Sequence, residues 1–145
     1  LLQDRDVFQE TIDIFYQQFK DKEIEAVVGI ESRGFIFAAP LALKLGCRFV
    51  LARKPGKLPG ETIAEEYDLE YGTDSIEMHK DAIKDGDCVL IVDDLLATGG
   101  TARAVGKLVN KLKGKIFSYC FLIYLKELNG LDILLPESIF YLIDY

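Results

Sequence analysis

The sequence predicts an α/β fold, a mostly parallel central sheet flanked by helices, built as a single domain over residues 1–145. Three observations predict it. Short apolar runs of strand length recur at 24–30, 49–52, 88–92, 116–125 and 139–143. Helical patterns at 35–45 and 101–112 lie between such runs, and strands alternating with helices imply βαβ units. The run at 88–92, CVLIV, has no polar member, which suits a strand covered on both faces.

The elements follow in order. Val7, Phe8, Ile12, Phe15, Tyr16 and Phe19 share one stripe at helical spacing, so 4–20 reads as an amphipathic helix. Residues 24–30 form a buried strand, and Glu31-Ser32-Arg33-Gly34 a loop. The segment 35–45 is a helix with Gly46 as its terminator and Pro40 as a candidate kink. Residues 49–52 are a second strand. The stretch 53–66 holds Pro55, Gly56, Pro59 and Gly60, and is too polar and punctuated for core; it reads as a flexible hood loop. Residues 67–71 and 75–78 read as a hairpin around Gly72-Thr73. After the 88–92 strand, 93–100 reads as a loop, 101–112 as a helix closed by Gly114, and 116–125 and 139–143 as the last strands. No internal repeat or second domain is visible.

Composition excludes several classes. The 145 residues carry a formal net charge of -7, a poor match to a nucleic-acid backbone. Hydrophobic residues make up 50%, too many for a disordered chain. No apolar run approaches the roughly 20 residues of a membrane span. One His and no C-x-x-C pair argue against a zinc cage. Cys47, Cys88 and Cys120 each lie beside apolar residues and read as buried reduced thiols, which points to the cytoplasm. His79 reads as a surface or strand-end residue.

The strongest chemical signal runs from Val89 to Thr101. A buried strand delivers Asp93 and Asp94, and a turn of Ala97, Thr98, Gly99 and Gly100 then enters a helix at Thr101. Open α/β sheets bind ligands at that edge. Glycines let a ligand approach backbone closely, and the amides at a helix N-terminus favour an anion. The pattern reads as a monophosphate cradle, with two carboxylates beside it for ribose hydroxyls or a metal. Glu31-Ser32-Arg33-Gly34 lies between a strand end and a helix start, a second anion site, where Arg33 offers a planar fork. Arg48, Arg53, Lys54 and Lys57 form a basic run in an acidic chain. It suits a lid that brings positive charge to a leaving group. Glu70, among Glu65, Glu66, Asp68 and Asp74, reads on composition alone as a solvated acid.

The strand–Asp-Asp–turn string resembles the phosphoribosyl diphosphate (PRPP) motif of type I phosphoribosyltransferases. Three further strings agree in order and spacing: Glu31-Ser32-Arg33-Gly34-Phe35, the segment from Arg53 to Gly60, and Tyr67-Asp68-Leu69-Glu70-Tyr71-Gly72. They look like the adenine-specific branch of that family. The resemblance implies transfer of the 5-phosphoribosyl group from PRPP to adenine, giving AMP and pyrophosphate, with Mg²⁺ carried by PRPP rather than held by protein ligands. It implies Ala97 to Thr101 on the 5-phosphate, Asp93 and Asp94 on the ribose, and Ser32, Arg33, Gly34, Arg53 and Lys57 on pyrophosphate. It also implies a cis peptide near Glu31-Ser32, Glu70 as the base acting at adenine N9, Arg33 and Leu125 on the adenine, and a homodimer. Many family members carry Glu at the place of Tyr124 and Arg at that of Leu131. A phosphoribosyltransferase for another base, or a PRPP-sensing regulator without turnover, shares the PRPP motif. Glu70, Arg53 and Lys57 speak against the regulator. The family's base-recognition segment precedes the first helix, whereas this sequence opens Leu1-Leu2-Gln3 directly into it. Residues 1–145 alone are therefore expected to recognise adenine weakly.

Overall fold

The computed structural model describes all of residues 1–145. Helix α1 (Arg5–Phe19) starts where Asp4 accepts from the amides of Asp6 and Val7, at 3.0 and 3.2 Å. Its apolar stripe turns inward and buries Ile12, Phe15 and Phe19. Complete burial of one such side chain is worth about 1.5–3 kcal/mol. Strand β1 (Ala26–Ile30) is buried along its whole length. Helix α2 (Gly34–Leu45) ends on Gly46, whose φ of +72° lets its amide return to Ala42 and Leu43. Pro40 lies inside it.

Strand β2 (Arg48–Ala52) pairs parallel with β1 on one side, and β5 (Cys88–Leu96) pairs parallel with β1 on the other. Helix α3 (Gly100–Lys111), β6 (Lys115–Tyr124) and β7 (Ile139–Asp144) complete the main sheet. Its order is β2-β1-β5-β6-β7, all parallel. Helices α1 and α2 cover one face over Val27, Leu90, Val92 and Cys120. Helix α3 and an antiparallel hairpin, β3 (Thr62–Asp68) and β4 (Thr73–His79), cover the other over Val28, Ile30, Ile91 and Phe121. The parallel α/β fold is thus as expected.

Several boundaries differ from expectation; the first hairpin strand ends at Asp68 rather than 71, and Thr73, expected in the turn, already begins β4. Residues 62–66 belong to β3, not to the hood loop, which shrinks to 53–61. The alternation of Ile63, Glu65 and Tyr67 toward the interior was masked by charge, and Lys107 and Lys111 of α3 neutralise Glu65. Strand β5 runs on to Leu96, because β6 pairs with it through Asp93↔Phe121 and Leu96↔Tyr124. Asp93 and Asp94 therefore sit in the sheet, not in a loop. At the end of α3 the left-handed residue is Lys113 (φ +67°), not Gly114. A Cβ at Gly114 would meet Ile83 at 2.7 Å, so that glycine serves close packing. A 3₁₀ turn (Lys126–Leu128) and a short helix α4 (Gly130–Leu134) fill the β6–β7 connection. No periodic apolar pattern announced either one.

Candidate active site

The sheet order reverses between β1 and β5, so the loops that leave their C-terminal ends diverge and open a crevice. Two hollows meet there at Asp93. One, about 320 Å³, is lined by Glu31, Ser32, Arg33, Asp93, Asp94 and Leu95. The other, about 90 Å³, lies within the turn and is lined by Leu95 to Ala102 together with Asp93. A hollow of about 470 Å³ lies between the hairpin and the outer side of the same turn, past Thr98, Gly100, Arg103 and Lys107. A further one, about 560 Å³, opens at the opposite edge of the sheet by Glu25, Arg48 and Asp87; it has no phosphate-binding turn.

The turn from Ala97 to Thr101 has the shape its glycines imply. Gly99 takes φ +83° at the N-cap of α3, in the left-handed region that glycine adopts without cost. A Cβ there would also fall 2.8 Å from the Gly130 carbonyl. The first amides of α3 thus open on the small hollow, where the helix dipole favours an anion.

The second loop is equally tight. The Glu31–Ser32 peptide is cis, as the resemblance implied. Gly34, where α2 begins, is pressed on the end of β5: a Cβ there would lie 2.9 Å from both the Val92 carbonyl and Asp93 Oδ1. Arg33 Nε reaches Asp94 Oδ2 at 2.6 Å, so the two candidate residues are already paired. Asp93 Oδ1 accepts from the Asp94 amide at 2.8 Å. Burial pushes the Asp93 carboxyl up, to about 8, and the adjacent Asp94 charge pushes it the same way; the Asp94 amide and Arg33 oppose this.

The basic run splits into three. Arg48 turns away and pairs with Asp87 at the far edge of the sheet. Lys54 bonds the Tyr67 hydroxyl at 2.7 Å and pairs with Asp74, tying the loop to the hairpin. Arg53 and Lys57 both reach Glu31: Arg53 Nε lies 3.1 Å from Oε1, and Lys57 pairs with Oε2. The Lys54 amide donates to the same Oε1 at 3.1 Å. Glu77 holds the next part of the loop, accepting from the Gly56 amide at 2.8 Å.

Glu70 sits exposed in the bend Leu69–Gly72 at the hairpin tip. The neighbouring Tyr67 ring and Asp68 carbonyl lie 3.7 and 3.8 Å from where a Cβ on Gly100 would stand, so the hairpin overhangs the turn. The Leu125 amide donates to the Leu96 carbonyl at 2.9 Å, which puts Leu125 on the same edge. Tyr124 is buried, and Leu131 packs on the same apolar cluster. Both departures from the family pattern thus fill core. The structure brings together Ser32, Arg33, Gly34, Arg53, Lys57, Asp93, Asp94 and the turn Ala97 to Thr101. Sequence reasoning missed two contributors. Glu31 had no assigned part, although an acid between a strand end and a basic loop was a signal. Gly130 buttresses the turn from behind, and only the fold reveals it. No group of three or more His, Cys, Asp or Glu side chains converges to hold a metal.

Residues 1–132 match the family described as the phosphoribosyl transferase domain. The chain is 56% identical over 132 residues to an adenine phosphoribosyltransferase of Clostridium botulinum, covering 91% of this chain and 77% of that one. A solved adenine phosphoribosyltransferase of Thermoanaerobacter pseudethanolicus superposes with TM-score 0.97 at 48% identity, over 99% of this chain and 84% of that one. The Saccharomyces cerevisiae adenine phosphoribosyltransferase, solved with an imino-altritol bisphosphate and adenine, gives TM-score 0.92 at 43% identity, covering 97% and 82%. With this fold, this turn and these relatives, the chain belongs to the adenine phosphoribosyltransferases, within the type I phosphoribosyltransferase family.

Proposed function

We propose that the chain transfers the 5-phosphoribosyl group of PRPP to adenine, giving AMP and pyrophosphate, as its family does in purine salvage. Adenine N9 bonds the anomeric carbon while the bond from that carbon to the pyrophosphate oxygen breaks. The observation that carries the reading is one crevice edge holding an amide-lined phosphate turn, two carboxylates and a cationic loop. In it Ala97 to Thr101 take the 5-phosphate, and Asp93 and Asp94 accept from the ribose hydroxyls. Ser32, Arg33, Gly34, Arg53 and Lys57 face the pyrophosphate. Arg33 and Leu125 border the base, and Glu70 takes the N9 proton as the hairpin closes. Positioning and charge stabilisation of the leaving group supply most of the rate.

Hard divalent cations take oxygen donors, and Mg²⁺ keeps several waters and one or two carboxylates beside substrate phosphates. Its ligands here would be PRPP oxygens and water, with Asp94 kept on Arg33, and bound Mg²⁺ would offset charge on the departing pyrophosphate. Of the three free thiols only Cys120 is buried, Cys47 and Cys88 being half-buried at strand entries rather than in the core as expected, and unpaired thiols suit a reducing cytoplasm. A second copy of the chain is the expected partner; Ile36 and Leu43 on the outer surface of α2 are exposed and apolar, and sedimentation would test the dimer.

The decisive experiment supplies Mg²⁺, PRPP and one base at a time, and follows AMP and pyrophosphate. Adenine-dependent release of both is expected. Release with hypoxanthine but not adenine would move the reading to another base. PRPP binding without turnover on any base would make the chain a sensor.

A further inference from the structure

We propose that Glu31 is a positioning residue for the pyrophosphate side of the crevice, holding Arg53 and Lys57 gathered at its mouth before any diphosphate arrives. This rests on the reading above, in which the diphosphate leaves from that side. Glu31 lies directly before the Ser32–Arg33–Gly34 turn and lines the same 320 Å³ hollow. Its side chain is only 9% exposed, and a carboxylate so enclosed persists only with its oxygens satisfied. They are satisfied in a divided way. Oε1 accepts from Arg53 Nε and from the Lys54 amide, both at 3.1 Å, and Oε2 pairs with Lys57.

Two consequences follow from that division. Arg53 spends only its Nε on Glu31, so its two terminal amino groups remain able to meet a phosphate. One carboxylate against two cations also leaves a net positive charge at the mouth. Burial pushes the Glu31 carboxyl up, but hydrogen bonds from Lys57, Lys54 and Arg53 outweigh it and hold the group below its ordinary range. The carboxylate therefore stays charged at neutral pH. Arg and Lys lose much rotamer freedom when they bind a ligand, and gathering them beforehand removes part of that cost. The Lys54 amide bond adds a backbone anchor, so Glu31 sets where the hood loop begins as well as where its cations point. The rival physical account makes Glu31 a competitor whose charge the diphosphate must displace. The two accounts give opposite signs on removal of the charge.

The test titrates magnesium pyrophosphate into the wild type, Glu31→Gln and Glu31→Asp by calorimetry, beside steady-state turnover and thermal unfolding. Glu31→Gln should weaken pyrophosphate binding and raise the KM for PRPP, each roughly tenfold, through two side chains left to be ordered on binding. The KM for adenine and the unfolding temperature should hold, and kcat should fall far less than KM rises; a merely structural role would move them together. Glu31→Asp keeps the charge on a stem one methylene shorter, so its affinity should fall between the other two. If Glu31→Gln does not fold, the loss in Glu31→Asp carries the test alone. Pyrophosphate affinity unchanged or improved in either folded variant overturns the proposal. A wild type that binds pyrophosphate but makes no AMP defeats the reaction above, while the order of pyrophosphate affinities among the three proteins still decides the role of Glu31.

Discussion

The two sides of the crevice are furnished by different means. On the β5–α3 side the turn from Ala97 to Thr101 is a backbone device, clamped between the central sheet and α4, with Gly99 at φ +83° and Gly130 against its back. On the hood side, loop 53–61 and the β3–β4 hairpin work with side-chain charge: Arg53 and Lys57 on Glu31, Lys54 on Asp74. Backbone amides aimed by a fold need no partner while they wait. Charged side chains must be neutralised somewhere, so the cations of the hood are already gathered on Glu31 and Asp74. The contrast teaches a division of labour: the frame should govern how the ribose phosphate is held, and the hood should bring charge to the diphosphate and, through Glu70, a base to adenine.

The largest effect expected is on the hood. Glu70→Gln should lower kcat by about 10²–10⁴-fold, the usual loss of a general base, while the dissociation constant of PRPP stays put. Turnover within a few-fold of the parent would leave Glu70 a surface acid and break the contrast at its strongest point. On the frame, Asp94→Asn should weaken PRPP binding by roughly tenfold to a hundredfold, the worth of a charge-assisted bond, as read by calorimetry. It also releases Arg33 from its 2.6 Å contact, so an unchanged constant would remove Asp94 from the ribose.

Gly130→Ala sharpens the comparison from outside the expected site. Its Cβ would lie 2.2 Å from the Ala97 carbonyl, so the turn must shift. PRPP binding should weaken by about tenfold with kcat at saturation largely kept, since misplacement by about an ångström is costly to a preorganised site. A fall in kcat with an intact KM would show that the frame also governs turnover. Hydrogen exchange offers a subtler reading. Loop 53–61 should exchange faster than β5 in the free protein and gain protection with PRPP, because polar surface contacts open more easily than buried strands. Equal, strong protection in both states would refute a moving hood.

The smallest effect concerns Asp93. Its carboxyl is raised by burial to about 8, so it favours the folded state most when protonated. That contribution is complete below the ordinary carboxylate range and is lost as pH rises through about 8. Asp93→Asn keeps an acceptor for the Asp94 amide and carries no charge. Its unfolding temperature relative to wild type should climb steadily between pH 4 and 8, then level. A flat difference would mean that Asp93 is solvated as an ordinary acid.

The sequence by itself determined the α/β class, because short apolar runs of strand length bounded by turn residues suit buried strands, and the stripes between them at helical spacing suit helices. It also marked the turn from Ala97 to Thr101, because Gly99 and Gly100 signal a tight backbone entry to α3, although Gly130 behind that turn left no signal. The tertiary structure alone decided the rest. It drew Asp93 and Asp94 into β5 through pairing with β6. It turned 62–66 into a strand through antiparallel pairing with β4. It sent Arg48 to the far edge, Lys54 to the hairpin, and Arg53 with Lys57 to Glu31. Four cations within ten residues of each other look alike in a sequence. Which carboxylate neutralises each is settled only when segments 20 or more residues apart are brought side by side, since charge pairing depends on distance in space and leaves no period along the chain.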